Sequence, residues 1–533
     1  MPSSISSTSL TEKKHDDVPS ATAALHVVET ARLSLIKEED PDEALKIAGG
    51  ERQVFTKEES DAVKRKVDRR IMPLLAAVYF SQFREKFASA VDKNSLNYSS
   101  VMGLPIKGEH YNLVSMAFYL GFLAFELPTS AISQHFPLAK YLGVNMVLWA
   151  TFLILHAASA NFAFFFVMRF LLGMAECCVS PILISMIAAW YPKNEQAKRV
   201  GMFYVMNGVT QIVGGLMAYG VTFYDGTAVS HWRIMYFLLG GMAFVVAASI
   251  LVWLPDSPAT ASFLSPREKL VAIERVRDNQ TGTRNKHFKR YQAVEAVTDP
   301  KTWLLILLTL FTCTPNGGLA SFNSILIKGF GFSSRVSLLL NLPEGAVLCL
   351  TIAIICYYAD ARQSRMVSVL MAILPTVLGM ALLVGFSAHS QNLNRAALIV
   401  GIMLAQTYGA GLAIMYAWSA SNVGGSTKKT VVNALFLLTF ALSNVIGTQI
   451  FQSKDAPLYV PGKIAILVLF SASIPTLFAL RAYTAYLNRK KDAQLAEVVA
   501  RNGWSDDDVK READKAAFLD LSDGENLFMR YTN

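Results

Sequence analysis

About twelve windows of roughly twenty mostly apolar residues recur along this chain, each followed by a short turn rich in Gly, Pro, Asn or charge. A segment of that kind crosses the hydrocarbon core of a bilayer, and a water-soluble core cannot bury a dozen of them. The windows fall at about 71–91, 112–133, 138–159, 162–188, 200–222, 232–254, 302–325, 336–358, 366–387, 396–418, 431–452 and 463–487. Barrel strands would alternate over about ten residues instead. These runs do not, so they read as helices, in which every lipid-facing backbone group is satisfied within its own segment.

Charge distribution supports the same reading. About 59 of the 89 Lys, Arg, Asp and Glu fall in 1–70, 255–301 and 488–533, leaving the rest of the 533 residues about 8% charged. A soluble multi-domain enzyme, a nucleic-acid binder and a disordered scaffold are all excluded by that pattern. The net charge of +9 comes from mixed-charge tails and short basic clusters between apolar runs, so it reads as topology rather than affinity for nucleic acid. Lys64, Arg65, Lys66, Arg69, Arg70, then Lys193, Lys198, Arg199, then Arg362, Arg365, then Lys428, Lys429, Lys490 and Lys491 all lie on one side of a twelve-span path. By the positive-inside rule this side, with both termini and the 255–301 segment, is expected to be cytoplasmic. The first 70 residues are too polar and acidic for a secretory or matrix-targeting signal, so the first span is expected to serve as the insertion signal.

The expected architecture is all-α. A cytoplasmic tail (1–69) precedes a six-helix half (70–254), a cytoplasmic linker (255–301) with a short helix over 266–277, a second six-helix half (302–487) and a cytoplasmic tail (488–533). Two such halves imply a pseudo-symmetric carrier with its site near the midplane. Cys177, Cys178, Cys313, Cys349 and Cys356 all sit in apolar runs without metal-ligand spacing. Walker, Rossmann, nucleophile-elbow and two-His metal motifs are missing in any suitable context, so no cofactor, no metal and no catalytic set is expected.

Ionisable groups inside spans are costly and mark candidate sites. Arg169 and Glu176 on the fourth span are seven residues apart, about two turns, and share a face. A guanidinium there suits a carboxylate, and a carboxyl there suits taking up and releasing a proton. Their bland alternative is a structural ion pair. Glu126 precedes Pro128 by two residues on the second span, and the eighth span opens with Asn341, Pro343 and Glu344. Asn207 and Gln211 share a face of the fifth span near Gly214 and Gly215. On the seventh, Pro315-Asn316-Gly317-Gly318 followed by Ser321, Phe322 and Asn323 marks an interrupted or bendable helix. Gln406, Tyr408, Tyr416, Asn433 and Asn444 are further polar candidates, for which bonding between helices is the plainer role.

Specific strings then carry a resemblance. Arg169-Phe-Leu-Leu-Gly173-Met-Ala-Glu176, then Pro181 and Trp190-Tyr191-Pro192 through Arg199, resemble the anion:cation symporter branch of the major facilitator superfamily. Tyr119 through Pro128, Ile327 through Phe332, Asp455-Ala-Pro457-Leu-Tyr459 and the tail Asp523-Gly-Glu525-Asn526-Leu-Phe-Met-Arg530-Tyr531 resemble its fungal allantoate permease group. Asp360-Ala-Arg362-Gln-Ser-Arg365 resembles the superfamily's gating motif. The resemblance covers roughly 64–531. It implies proton-coupled symport of a small organic anion across the lipid bilayer, by rocking of two halves, in a carrier that is usually monomeric. The resemblance puts Arg169 at the anion, Asp92 and Glu176 in proton coupling and Asp360, Arg362 and Arg365 in the gate; the polar residues of the spans add Asn207, Gln211, Asn323 and Tyr416 as expected parts of the substrate site and Glu126 as a further proton-coupling carboxyl. The chain departs from the family at Arg84 to Val91, where Gln82-Phe83 would otherwise run almost directly into Asp92, and the Ser133–Lys140 gating motif of the first half is degenerate. Two other readings stay open: an exporter of an acidic metabolite, and a sensor that binds a solute and signals through its C-terminal tail.

Overall fold

The computed structural model describes residues 55–82, 110–133, 135–159, 161–224, 229–277, 289–362, 364–387, 394–517 and 521–532. Helices dominate these segments. In chain order they are α1 (Lys57–Gln82), α2 (His110–Ile132), α3 (Leu138–His156), α4 (Phe162–Glu176), α5 (Val179–Trp190), α6 (Lys193–Tyr204), α7 (Met206–Val221), α8 (His231–Trp253), α9 (Pro266–Arg277) and α10 (Arg290–Thr298). They continue with α11 (Pro300–Gly329), α12 (Ser334–Leu339), α13 (Asn341–Arg362), α14 (Arg365–Ser387), α15 (Arg395–Ala405), α16 (Gly409–Asn422), α17 (Ser426–Thr448), α18 (Val460–Asn502) and α19 (Asp506–Ala517).

Among the described residues ten helical stretches are long and apolar enough to cross a membrane, and they coincide with the third to twelfth expected spans. The first expected span is described only as far as Gln82, and the second is α2. Local chemistry sets several boundaries. Asn161 Oδ1 caps α4 by accepting from the Phe164 amide at 2.8 Å, and Asp299 caps α11 by accepting from the Lys301 amide at 2.9 Å, with Pro300 at the first position where no donor is needed. The helix α18 has 43 residues, about 65 Å, twice what a hydrocarbon core requires, so its charged second half projects beyond the membrane. It stops at Gly503, whose φ of 64° is a left-handed cap that favours glycine.

The pairing of helices repeats. The third and sixth spans pack together (α3 on α8), as do the ninth and twelfth (α14 on α18); the first touches the fifth (α1 on α7), as the seventh touches the eleventh (α11 on α17). Between the two sets, α7 lies on α13 and α2 on α17, which are equivalent contacts once six is added to each span number. This is the pseudo-symmetry of two six-helix halves.

Four spans break. The fourth is interrupted at Cys177–Cys178, the fifth at Val205, the eighth at Leu340 and the tenth by a 3₁₀ turn at Gln406–Tyr408. The seventh, expected to bend at Pro315-Asn316-Gly317-Gly318, instead runs unbroken as α11. Its glycines serve close packing: a Cβ on Gly317 would strike the Asn444 backbone, and one on Gly318 the Gly447 carbonyl.

Candidate functional site

Where the halves meet, α7 and α13 touch backbone to backbone. A Cβ on Gly208 would meet the Gly345 carbonyl and Cys349, and one on Gly345 would meet the Gly208 carbonyl and Gln211. Beside this contact the walls part around a cavity of about 150 Å³. Tyr79 of α1 and Tyr204, Asn207, Thr210 and Gln211 of the fifth span line one side. Thr312, Asn316 and Asn323 of α11, Asn341 and Leu348 of α13, and Gln406 and Tyr408 of the broken tenth span line the other. The wall mixes these polar groups with apolar ones such as Val369, Ile373, Met415 and Phe440, and carries no Lys, Arg, Asp or Glu among the described residues.

Its polar groups are ordered by bonds between helices. Asn444 Nδ2 donates to the Phe440 carbonyl at 2.7 Å, so its Oδ1 accepts from Asn316 Nδ2 at 2.7 Å, and Tyr408 donates to Asn316 Oδ1 at 3.0 Å. On the other flank the buried Glu344 carboxylate accepts from Asn323 Nδ2 at 2.6 Å and from Gln406 Nε2 at 3.4 Å. The Glu344 carboxyl is thus bonded to two side chains of the cavity wall without itself lining the cavity.

The residues singled out from sequence divide into two places. Asn207, Gln211 and Asn323 line the cavity, whereas Arg169, Glu176, Glu126 and Tyr416 are not among its lining residues. Arg169 is buried and donates from Nη2 to Tyr236 of α8 at 2.9 Å, with its guanidinium 5.4 Å from the Phe165 ring centre. Glu176 accepts from the Trp149 indole of α3 at 3.0 Å. Both thus face the α3–α8 pair. Glu126 is 1% exposed, and neither carboxylate oxygen has a hydrogen-bond partner among the described residues. Tyr416 packs on Phe436, ring centres 4.5 Å apart. Arg362 ends α13 and Arg365 begins α14, with Asp360 in the last turn of α13. Asp92 and the 84–91 departure lie outside the described residues. Tyr204 on the wall had a readable signal, since 204, 207 and 211 share one helical face; Tyr79 and Thr312 had none beyond lying in an apolar run.

Charge gathers at the end of the molecule that carries α9. Arg199 grips Asp68 with two bonds, 3.0 and 2.8 Å, stacks 4.2 Å from the centre of Tyr191, and pairs with Glu195 at 3.2 Å. Glu195 also receives Lys64 and Arg275. Burial pushes its carboxyl up, but Lys64, Arg275 and Arg199 outweigh burial and hold it below its ordinary value. The other half has an equivalent knot: Lys428, which begins the eleventh span as Arg199 begins the fifth, pairs with Glu295 at 2.9 Å, Asp299 at 3.0 Å and Asp523 at 2.8 Å.

Asp523 belongs to the C-terminal tail, which docks here. The buried carboxylate also pairs with Lys301 at 2.5 Å and accepts from the Tyr531 hydroxyl at 2.9 Å. Lys491 donates to the carbonyls of Asp523, Asn526 and Met529. Trp418 and Asn422 of α16 both donate to the Thr532 carbonyl, at 2.9 and 3.1 Å. Four spans of one half are therefore tied at one end by a twelve-residue strap, 521–532.

Paired helices in two equivalent sets around a central cavity are matched by the comparisons with known proteins. The family model of the Major Facilitator Superfamily matches residues 72–448. The chain belongs to this superfamily. It is 33% identical to the allantoate permease of Saccharomyces cerevisiae, covering 98% of this chain and 96% of that one, and 30% identical to the thiamine pathway transporter of the same yeast, covering 91% and 89%. An uncharacterised transporter of Schizosaccharomyces pombe is 34% identical over 88% of each chain. Among solved structures, a proton:xylose symporter aligns with a TM-score of 0.64 at 12% identity, over 78% of this chain and 96% of that one, which shows the shared fold. This superfamily member is a multi-pass membrane transporter of a small molecule and not an enzyme.

Proposed function

We propose that the chain is a monomeric, proton-coupled symporter of a small carboxylate-bearing nutrient, in the plasma membrane with both termini and the 255–301 linker cytoplasmic. The observation that carries the reading is a set of three carboxyls within the membrane-spanning core: Glu344, bonded to two side chains of the cavity wall, and Glu126 and Glu176, set back from that wall on the second and fourth spans. An intramembrane carboxylate is costly when ionised and unpaired, and in a transporter its natural use is to carry a proton across.

Arg169 is a buried cation of the fourth span, bonded to the Tyr236 hydroxyl among its contacts, and supplies the fixed positive charge for the solute's carboxylate as the halves rock. Asp92 and Glu176 carry the proton, Asn207, Gln211, Asn323 and Tyr416 shape the site, and Asp360, Arg362 and Arg365 gate the second half. The likeness to an allantoate permease supports a carboxylate as cargo. Glu176→Gln tests the coupling. The variant should lose the rise in uptake at acidic external pH while still exchanging internal for external solute. Uptake with an unaltered pH profile would remove Glu176 from the proton path.

A further inference from the structure

The cavity wall is unbalanced in hydrogen-bonding sense. Among its lining residues, the buried side-chain polar atoms that lack a partner are Asn207 Oδ1, Gln211 Oε1 and Asn323 Oδ1, all acceptors. Behind Asn323, Glu344 Oε1 is likewise buried and unpartnered, an acceptor when the carboxyl is ionised. Asn207 and Gln211 can turn their amides over, but Asn323 cannot. Asn341 Nδ2 donates to the carbonyls of Ser337 and Leu338 at 3.1 and 3.2 Å, and these can only accept. Asn341 Oδ1 must therefore be the atom that accepts from Asn323 Nδ2 at 3.2 Å, and Glu344 takes the same amide group at 2.6 Å. What Asn323 has left to offer is an oxygen. The residue is 8% exposed, its oxygen is buried, and no Lys, Arg or His among the described residues lines the cavity to satisfy that oxygen.

Buried acceptors left open in a site are satisfied by the donors of what binds there, and they discriminate against ligands without donors, because the oxygen then stays unpaired. We propose that the cavity selects a solute bearing N–H donors, a primary amide or an ammonium group, whose N–H bonds go to Asn323 and to the amides of Asn207 and Gln211. Carboxylates without N–H groups are rejected. This deepens the symporter reading and rests on it only for the carboxylate end of the solute, since the donor end is read from the wall itself.

The test uses isosteric pairs. Succinamate and levulinate have the same carboxylate, carbonyl and length and differ by NH₂ against CH₃; 4-aminobutyrate and valerate differ by ammonium against CH₃. Ligand-induced thermal stabilisation of the full chain in detergent gives an apparent Kd for each. Succinamate, 4-aminobutyrate or both should bind at least about tenfold more tightly than their methyl partners. Asn323→Leu should bring that ratio toward one, and Gln211→Leu, on the opposite half, should do so if the first variant fails to fold. Methyl partners binding as tightly as the N–H compounds, or a preference untouched by both variants, would overturn the proposal. An uncharged pair, butyramide and 2-pentanone, separates it from the anion reading. If butyramide is preferred and the carboxylates add no affinity, the donor site stands and the carboxylate cargo falls. If none of the six compounds stabilises the protein, both fall.

Discussion

Replacing Asp523 by Asn keeps the shape of the docked tail and removes the charge on which it turns. Asp523 is 1% exposed and sits between two ammonium groups, Lys301 at 2.5 Å and Lys428 at 2.8 Å. Burial alone would raise its pKa, yet Lys301 and Lys428 overcome burial and bring the carboxyl down from 3.8 to about 2. A depression of that size is worth about 2 kcal/mol of stability. Because the folded pKa lies below the unfolded one, this stability is complete above about pH 4 and is lost as pH falls toward 2. Structure leads to a similar figure: breaking a buried pair costs about 3–5 kcal/mol, moderated here because Lys428 keeps Glu295 and Asp299 and Lys301 keeps the Asn422 carbonyl. About 2 kcal/mol multiplies the undocked population roughly thirtyfold. Trypsin cleavage after Arg530, followed by mass spectrometry on the full chain in detergent, reads that population when opening is fast relative to cleavage. Asp523→Asn should be cleaved tens of times faster than the native chain at pH 7, and the native chain should show no such sensitivity between pH 5 and pH 7. Equal cleavage rates for the two proteins would show that the Lys301–Asp523–Lys428 cluster does not hold the tail.

Gly208→Val should abolish transport while leaving surface expression intact, because the side chain enters the space occupied by the Gly345 carbonyl and Cys349 and wedges the halves apart; uptake and cell-surface labelling read the two effects. Arg199→Ala should lower the melting temperature in detergent, corresponding to about 1–2 kcal/mol, since it removes two charged bonds to the part-exposed Asp68 and uncovers one face of Tyr191. As Glu195 is held below its ordinary pKa by the same knot, its share of stability is present above about pH 4.5 and is lost on acidification, so the native and Arg199→Ala melting curves should converge at low pH. Arg169→Ala should eliminate saturable uptake of a labelled carboxylate without loss of folded protein; native-like saturation kinetics in that variant would remove Arg169 from the site.

Helix positions were legible because twenty apolar residues in lipid leave the backbone no alternative. Ten of the expected windows reappear within a few residues, and the excess length of α18 lies in its charged, membrane-external half. Faces were legible too: Asn207 and Gln211, four apart, do share a wall of the cavity. What periodicity does not encode is the neighbour that a face meets. Arg169 and Glu176 share a face as their spacing requires, and that face turns toward α3 and α8. The breaks of the tenth span beside Gly409, and the unbroken course of the seventh through Pro315, depend on tertiary packing against α13 and α17. The tail was recognisable as a string, but a charged C-terminus usually reads as solvated. Its burial comes from Lys301 and Lys428, 222 and 95 residues away in sequence.

Uptake in carrier-deficient cells expressing this chain, measured with labelled small carboxylates at acidic and neutral external pH, with and without a protonophore, tests the account most directly. The account predicts accumulation above the medium concentration that is stronger at acidic pH and collapses when the protonophore is added. Accumulation indifferent to both pH and protonophore, or binding of a solute by surface-expressed protein without any accumulation, would contradict it.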